Sequence, residues 1–269
     1  MTKDKSINIS FDVNEAYEQT VGPLFDTASD TLIALWDISF GKIDHYREKN
    51  QLKRTYELSE FKRELENKVN QIPKEHFEEP TISKVGPALE ASKYYFEEEE
   101  IRSMFANLIA SSMDSRKVNE VYPSFSEIIK QMNKLDAENL KIIYESIESC
   151  AKICQINLPV NKGGFRSIFT NLFIENESNN DYDAISSSLS NLSRLGLIEI
   201  DYGKWFTNKD AYKPFENTKL FRDTIKTQIA YNSQHQLSLN DPEAYKPPKI
   251  VKGIVSITPY GAAFCRICL

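Results

Sequence analysis

The sequence has few of the residues that punctuate or cross-link a polypeptide chain. Only nine of its 269 residues are glycine, eleven are proline and four are cysteine. These counts exclude a collagen-like or linker-dominated architecture. No repeat period is visible, and neither a GxxxxGK phosphate loop nor a GxGxxG turn after a strand is present. The common routes to nucleotide binding are therefore missing.

Positive charge is also in short supply, because 33 Lys and Arg stand against 39 Asp and Glu, a net charge of −6. An acidic surface repels nucleic acid and anionic lipid, so any contact with either must be local. The hydrophobic fraction of 41% suits one large globular domain or two of ordinary size. Four cysteines without a signal peptide predict a reducing compartment, and we expect a cytoplasmic protein.

A helix that starts near Glu97 is the strongest local signal in the chain. Its first turn carries the acidic run 97–100, where the positive end of the helix dipole favours carboxylates. Its apolar residues recur at helical spacing and predict a buried face: Ile101, Met104, Phe105, Leu108 and Ile109.

The most apolar stretch near the start, residues 21–40, is interrupted by Asp26, Asp30 and Asp37. On a helical wheel these carboxylates lie within about 40° of one another, opposite the apolar residues. This predicts an amphipathic helix with an acidic solvent face, whereas a helix on a membrane surface normally carries Lys or Arg there. We expect core or partner packing, with membrane contact as the alternative.

Further helices are indicated by capping residues and breakers. Ser59 is predicted to cap a helix that Pro73 stops, and Ser124 with Glu127 forms a capping-box pattern. Asp136 is predicted to cap the next helix. After a glycine pair at 163–164, an apolar helix is predicted from 165 to 174.

The pattern of the last 90 residues resembles a winged helix. A helix over 183–195 ends at Gly196, and the alternating strand 197–200 finds a partner at 254–257. Thr258 and Pro259 then start a terminal helix. We therefore predict a mainly α fold: an N-terminal multi-helix region and a C-terminal winged-helix-like α+β region, whose two-strand wing carries a long insert.

The candidate recognition helix is poorly suited to DNA. Its only cation is Arg194, and Asp181 and Asp183 lie at its start. Phosphate contacts usually dominate the affinity for DNA, so the sequence argues against a nucleic-acid partner at this helix.

The insert, residues 203–252, differs from the rest of the chain in charge. It holds nine cations and five acids, a net charge of 9 − 5 = +4, together with seven aromatic residues. This composition fits a partner-binding surface, and an elaborated wing that packs on its own domain is the alternative. The candidate partner-binding residues are Lys204, Trp205, Lys209, Lys213, Lys219 and Arg222.

The four cysteines raise the question of a metal site. Cys150 and Cys154 are placed at the end of an apolar helix, and Cys265 and Cys268 lie in the last helical turn. Four thiolates can hold zinc, but structural zinc sites normally use loop knuckles, and buried cysteine acts as a small hydrophobe. We expect no metal, no cofactor and no catalytic residue, because the three histidines show no triad pattern either.

Two stretches carry a family resemblance. Residues 80–114 read PTISKVGPALEASKYYFEEEEIRSMFANLIASSMD, and residues 121–143 read VYPSFSEIIKQMNKLDAENLKII. Together they resemble the abortive infection alpha (Abi-alpha) family of bacterial proteins, most specifically at 104–108 and 123–129. The resemblance implies a role in antiphage defence and no catalytic residue.

These observations predict an N-terminal helical region at 1–133 and a winged-helix-like region at 134–269. The expected function is non-enzymatic: an interaction module of antiphage defence that senses or blocks a phage or host protein, or associates with itself, through the insert. The alternatives are a membrane-perturbing effector that uses the 21–40 helix and a nucleic-acid sensor that uses the winged helix.

Overall fold

The computed structural model describes residues 31, 33–37, 39–40, 52–95, 97–208, 210–238 and 240–269, and the described residues before 132 are mainly helical. A first unit runs to Gln131 and includes Ile267–Leu269, and a second unit spans Met132–Arg266. From residue 52 onward, the described part of the first unit contains short 3-10 turns at Lys74–His76 and Val118–Glu120 and the α-helices α1 (Leu52–Asn70), α2 (Ile82–Ser92), α3 (Glu99–Ser111) and α4 (Ser124–Ile129).

Helix α3 is the core of the first unit, as its spacing predicts. All five apolar residues of its predicted face are buried: Ile101, Met104, Phe105, Leu108 and Ile109. Glu99 and Glu100 occupy its first turn. The same helix buries Arg102, which forms ion pairs with Glu57 and Glu64 of α1. Because an unpaired buried charge is very unfavourable, these pairs fix how α1 lies on α3.

Polar side chains of α3 also hold the last residues of the chain. The Asn107 amide donates to the carbonyls of Cys268 (3.0 Å) and Leu269 (3.2 Å), and the Ser111 hydroxyl donates to that of Ile267 (3.3 Å). Carbonyls at a helix end have no partner within the helix, so these bonds cap them.

The amphipathic segment 21–40 is described only from residue 31 onward, with gaps at 32 and 38, and is helical there. Leu35, Trp36 and Phe40 are buried and Asp37 is exposed. The Trp36 and Phe40 rings stack 4.4 Å apart, and the Phe61 ring lies 5.8 Å from each. In this part of the segment, the packing favours the core interpretation over membrane contact.

The second unit alternates helices and strands. It contains α5 (Lys134–Glu145), β1 (Cys150–Pro159), β2 (Phe165–Leu172), α6 (Tyr182–Arg194), β3 (Ile198–Asp201), α7 (Lys213–Glu216), α8 (Lys219–Gln234), β4 (Lys249–Ile257) and α9 (Pro259–Cys268), with a 3-10 turn at Ile147–Ser149. The last two residues of α9 are counted with the first unit.

The four strands form one antiparallel sheet in the order β2-β1-β4-β3. The predicted partnership of 197–200 with 254–257 is present, with Ile198 opposite Ile257 and Asp201 opposite Ile254. The expected combination of helices with an α+β C-terminal region is confirmed. The sheet is larger than a two-strand wing, because β1 and β2 add a hairpin to it.

A buried polar network joins α5 to α6. The Asn139 amide donates to Ser188 (3.0 Å) and its oxygen accepts from Asn176 (2.8 Å). The Asn191 amide donates to Asp136 (2.9 Å). Since buried polar groups are stable only when paired, this network specifies one orientation of α6 against α5.

The helix predicted for 165–174 is wrong, because Phe165–Leu172 is strand β2. Two bulges interrupt its pairing with β1, and a bulge breaks the alternation of side chains along a strand. Ile168 and Phe169 both pack on the cluster that contains Leu172, a spacing that imitates a helix face. Cys150 and Cys154 lie in β1 rather than at a helix end.

The predicted caps also need correction. Helix α1 already includes Leu52, so Ser59 is internal, and its hydroxyl donates to the Tyr56 carbonyl (2.6 Å). Pro123, not Ser124, is the N-cap of α4, and no side chain caps it there. Asn133 caps α5, with Asp136 as its capping-box partner.

Replacing Phe105 with Asp tests the core of the first unit. The substitution buries a carboxylate in a position with no exposed area, which we expect to cost at least about 3 kcal/mol and to unfold the unit. Thermal melts compare it with Tyr94→Asp, since Tyr94 is 74% exposed. Equal melting temperatures for Phe105→Asp and the wild type would contradict the packing of α3.

Substitution of two helical glycines tests how closely each helix packs against its neighbouring atoms. At Gly261 of α9 a Cβ would lie 2.0 Å from the Leu197 carbonyl oxygen, whereas at Gly86 of α2 the nearest atom is 3.4 Å away. Gly261→Ala should lower the melting temperature strongly. Gly86→Ala should change stability by less than about 1 kcal/mol, since its gain in helix propensity opposes the restraint of the following proline.

Candidate partner-binding surface

Three aromatic side chains of the insert are part of the core of the second unit. Tyr212, Phe215 and Phe221 are buried and form one cluster with Cys154 and Leu172 of the sheet. The Tyr212 hydroxyl donates to the carbonyl of Gly253 in β4 (2.8 Å). These rings therefore attach the insert to one face of the sheet. Trp205 (55%) and Tyr231 (37%) stay exposed.

Most of the described cations in the first half of the insert are paired with a nearby acid. Lys204 contacts Asp201 (3.0 Å), Lys213 contacts Asp210 (2.8 Å) and Lys226 contacts Asp223 (2.9 Å). Each acid precedes its lysine by three residues. Exposed pairs of this kind contribute little to stability, and they also reduce the local excess of positive charge.

Helix α8 presents three cations of the insert on one face. Lys219, Arg222, Lys226 and Ile229 follow one another at spacings of three and four and are all exposed. We call these four residues the α8 stripe. No ion pair involves Lys219 or Arg222 in the part of the chain that the structure describes. Phe221 and two further residues of α8 are buried on the other side.

The positive charges of the α8 stripe act on Asp223, which lies between Arg222 and Lys226 in the sequence. The pKa of Asp223 lies below its usual range because Lys226 donates a hydrogen bond to it, and the charges of Lys226, Lys219 and Arg222 add to this effect. The first turn of α8 holds no acidic residue. Cations at the positive end of a helix destabilise it by roughly 0.3–1 kcal/mol each, so the stripe does not serve the stability of its own helix.

The structure brings together some of the candidate residues and not others. Lys219 and Arg222 share the α8 stripe, and Lys204 and Trp205 lie in the loop after β3. Lys213 is exposed at the start of α7, and Lys209 lies outside the described residues. Among the described residues no hydrogen bond, ion pair or ring contact joins Lys204 or Trp205 to Lys219 or Arg222.

Sequence reasoning missed that Lys226 and Ile229 complete the stripe. Their spacing from Lys219 and Arg222 is the signal that would have found them, once 219–234 is recognised as a helix. Thr218 is the sequence signal for the start of this helix, because threonine is a favoured N-cap residue. In the structure its hydroxyl accepts a hydrogen bond from Phe221 N (3.2 Å).

The candidate recognition helix α6 offers a mostly polar outer face. Asp183, Ser187, Ser190 and Arg194 are exposed on it. The Arg194 guanidinium donates to the Asn191 side-chain oxygen (2.7 Å), and Asp181 caps the first turn. This face holds both charge signs and lacks the cation excess that a phosphate backbone requires.

A histidine and a serine meet in the first unit. His76 Nδ1 lies 3.2 Å from the Ser115 hydroxyl, where Phe77 pairs with Asp114 in an isolated bridge. The Asp114 carboxylate binds Arg116 rather than the histidine, and this hydrogen bond holds its pKa below the usual range. Ser115, His76 and Asp114 therefore lack the carboxylate–histidine bond that orients a catalytic triad.

Cys154, Cys265 and Cys268 are buried free cysteines, and Cys150 is half-buried. Burial raises the pKa values of Cys154 and Cys265 to about 12. The pKa of Cys150 is raised by burial and by the charges of Glu148 and Glu175. A raised pKa disfavours the thiolate, which is the reactive form of cysteine. Among the described residues no group of three or more His, Cys, Asp or Glu side chains is placed to hold a metal ion.

Within the described part of the chain, no helix has both the length and the apolar character needed to cross a membrane.

The sequence model of the abortive infection alpha family matches residues 53–268. This range includes α3, the whole sheet and the insert with its stripe. The chain therefore belongs to the abortive infection alpha family. No match was found among curated proteins or among solved structures.

Alkylation tests the state of the cysteines. Iodoacetamide at neutral pH should leave Cys154 and Cys265 of the native protein almost unlabelled, because they are buried and protonated. Half-buried Cys150 should react faster than either. Peptide mass spectrometry reads each site, and denatured protein provides the fully labelled control. Rapid native labelling of Cys154 would contradict the packing of the insert on the sheet.

Proposed function

We propose that this chain acts in antiphage defence by abortive infection, as a non-enzymatic module that binds a protein partner in the cytoplasm. The family description supports the defence role. The observation that carries the binding role is the α8 stripe, where Lys219 and Arg222 are exposed without an ion pair in the described chain. Four free cysteines suit a reducing compartment.

The chemistry of the stripe indicates an acidic partner. Its three cations lie along one helix face, and Ile229, 56% exposed, adds an apolar contact at its end. Lysine and arginine at the rim of an interface accelerate the encounter with an acidic surface. A phage protein, a host protein or an acidic region of a second copy would present such a surface.

We further propose that the second unit is a modified winged helix. In support, α6 ends just before Gly196, β3 pairs with β4, and Thr258 caps the helix that follows. Two features depart from the simple form. The β1–β2 hairpin extends the sheet, and the chain between β3 and β4 covers a sheet face instead of forming a short wing. The modification gives the fold a protein-binding helix in α8.

Reversing the charge of the stripe tests this proposal. Lys219→Glu combined with Arg222→Glu places acids near the start of α8, where the dipole favours them, so the melting temperature should stay equal or rise slightly. Protection of bacterial cells against phage, measured by efficiency of plating, should be lost. If self-association is involved, the oligomeric state of the purified protein should change as well.

Lys134→Glu with Lys141→Glu is the matched control, because it makes the same change in charge at two exposed lysines of α5. This variant should protect cells as the wild type does. Full protection by the stripe variant would refute the proposed surface. Equal loss in both variants would show that net charge, not the stripe, matters.

A further inference from the structure

The turn of the β1–β2 hairpin lies against the last part of the insert. Asn161 N donates to the Ala244 carbonyl (3.0 Å) and Lys162 N to that of Pro242 (2.9 Å). In return, Lys246 N donates to the carbonyl of Pro159 (2.8 Å). The hairpin turn and the loop before β4 therefore form one ordered surface, although 80 residues separate Asn161 from Asp241.

Three rings are lined up on this surface at the end of α8. Tyr245 meets Tyr231 edge to face at 4.9 Å, and Tyr231 stacks on His235 at 4.1 Å. The side chain of Asn232 bonds both the N–H and the carbonyl of Tyr245. His235 is the exposed end of this column, and its Nδ1 donates to the Tyr231 carbonyl (2.9 Å). The orientation of the outer ring is fixed before any ligand arrives.

Cations and a further ring surround the column. Lys162 of the hairpin turn is exposed and pairs with Glu243 (2.8 Å) of the loop that carries Tyr245. Lys246 is exposed directly after Tyr245. Phe165, 62% exposed, lies opposite Pro159 in the hairpin, and exposed Arg166 follows it. Aromatic residues and exposed cations therefore lie both on the hairpin turn and on the loop that is bonded to it.

We propose that this surface binds single-stranded nucleic acid, with a base stacked on His235 and the phosphates near Lys246 and Lys162. Exposed rings with cations between them are the pattern of stacking platforms for single strands. Cations alone would suit an acidic peptide equally well, but the fixed, exposed ring column adds a requirement for a flat aromatic ligand. His235 follows the last residue of α8, whereas Lys219 and Arg222 of the α8 stripe lie at the start of that helix.

Binding is measured with fluorescently labelled oligothymidylate and oligouridylate, by anisotropy at low and physiological salt. His235→Ala should weaken binding at least about fivefold, the lower end of the contribution of one base stacked on one ring. His235→Phe keeps the ring and should retain the affinity. Tyr94→Ala removes an exposed ring from the first unit and should have no effect.

Lys246→Glu should weaken binding of both oligonucleotides and make the salt dependence shallower, since phosphate contacts release counterions. The stripe variant Lys219→Glu with Arg222→Glu should bind as the wild type, so failure of this proposal is distinguishable from failure of the protein-binding role. Unchanged affinity in His235→Ala would overturn the proposal. Displacement of the oligonucleotide by oligoglutamate at equal concentration would also overturn it, in favour of an acidic protein ligand.

Discussion

The central constraint on the second unit is that strand β1 is buried on both faces. Ala151 and Ile153 lie on one face of the strand, and Cys154 and Ile156 lie on the other. All four are almost inaccessible to solvent. A strand that is buried on both faces needs a cover on the face of Cys154 and Ile156 as well. The chain between β3 and β4 provides this cover by packing Tyr212, Phe215 and Phe221 on Cys154, Ile156 and Leu172. The display of the insert's charged residues follows from this requirement, because a segment that buries its rings must turn its lysines outward.

Gly253 lies in β4, at a point where neighbouring side chains approach the backbone closely. A Cβ at this position would lie 2.6 Å from the Tyr202 ring, while the Gly253 carbonyl accepts the hydrogen bond of Tyr212. Burial raises the pKa of Tyr202 to about 12, and its hydroxyl donates to Asn171 in β2 (2.8 Å). One glycine in β4 thus makes room for a ring from the β3 side and anchors the insert through its backbone. A side chain there would displace one of these tyrosines.

Sequence periodicity identified α3 because five large apolar residues repeat over three turns without a competing pattern. It failed at β2, where two bulges shift the alternation and bring Ile168 and Phe169 toward the same cluster. Counting charges located the basic insert, but it could not show that Lys204, Lys213 and Lys226 each meet an acid three residues earlier. Such pairs depend on backbone conformation. The bonds of Asn161 and Lys162 to the loop before β4 join the hairpin turn to the insert across about 80 residues, and no local pattern carries that information.

Helix α8 then accounts for both proposed surfaces. It is anchored by a narrow face, Phe221, Thr224 and Gln228, which leaves most of its circumference to solvent. At its start, Lys219 and Arg222 oppose the helix dipole, so their presence is not explained by folding. At its end, the bonds of Asn232 and Gln228 to the Tyr245 carbonyl hold the neighbouring loop, and His235 stacks on Tyr231. A helix of 16 residues is about 24 Å long, so the two ends are far enough apart for separate ligands. The anchoring that covers the sheet therefore places both surfaces on one rigid element.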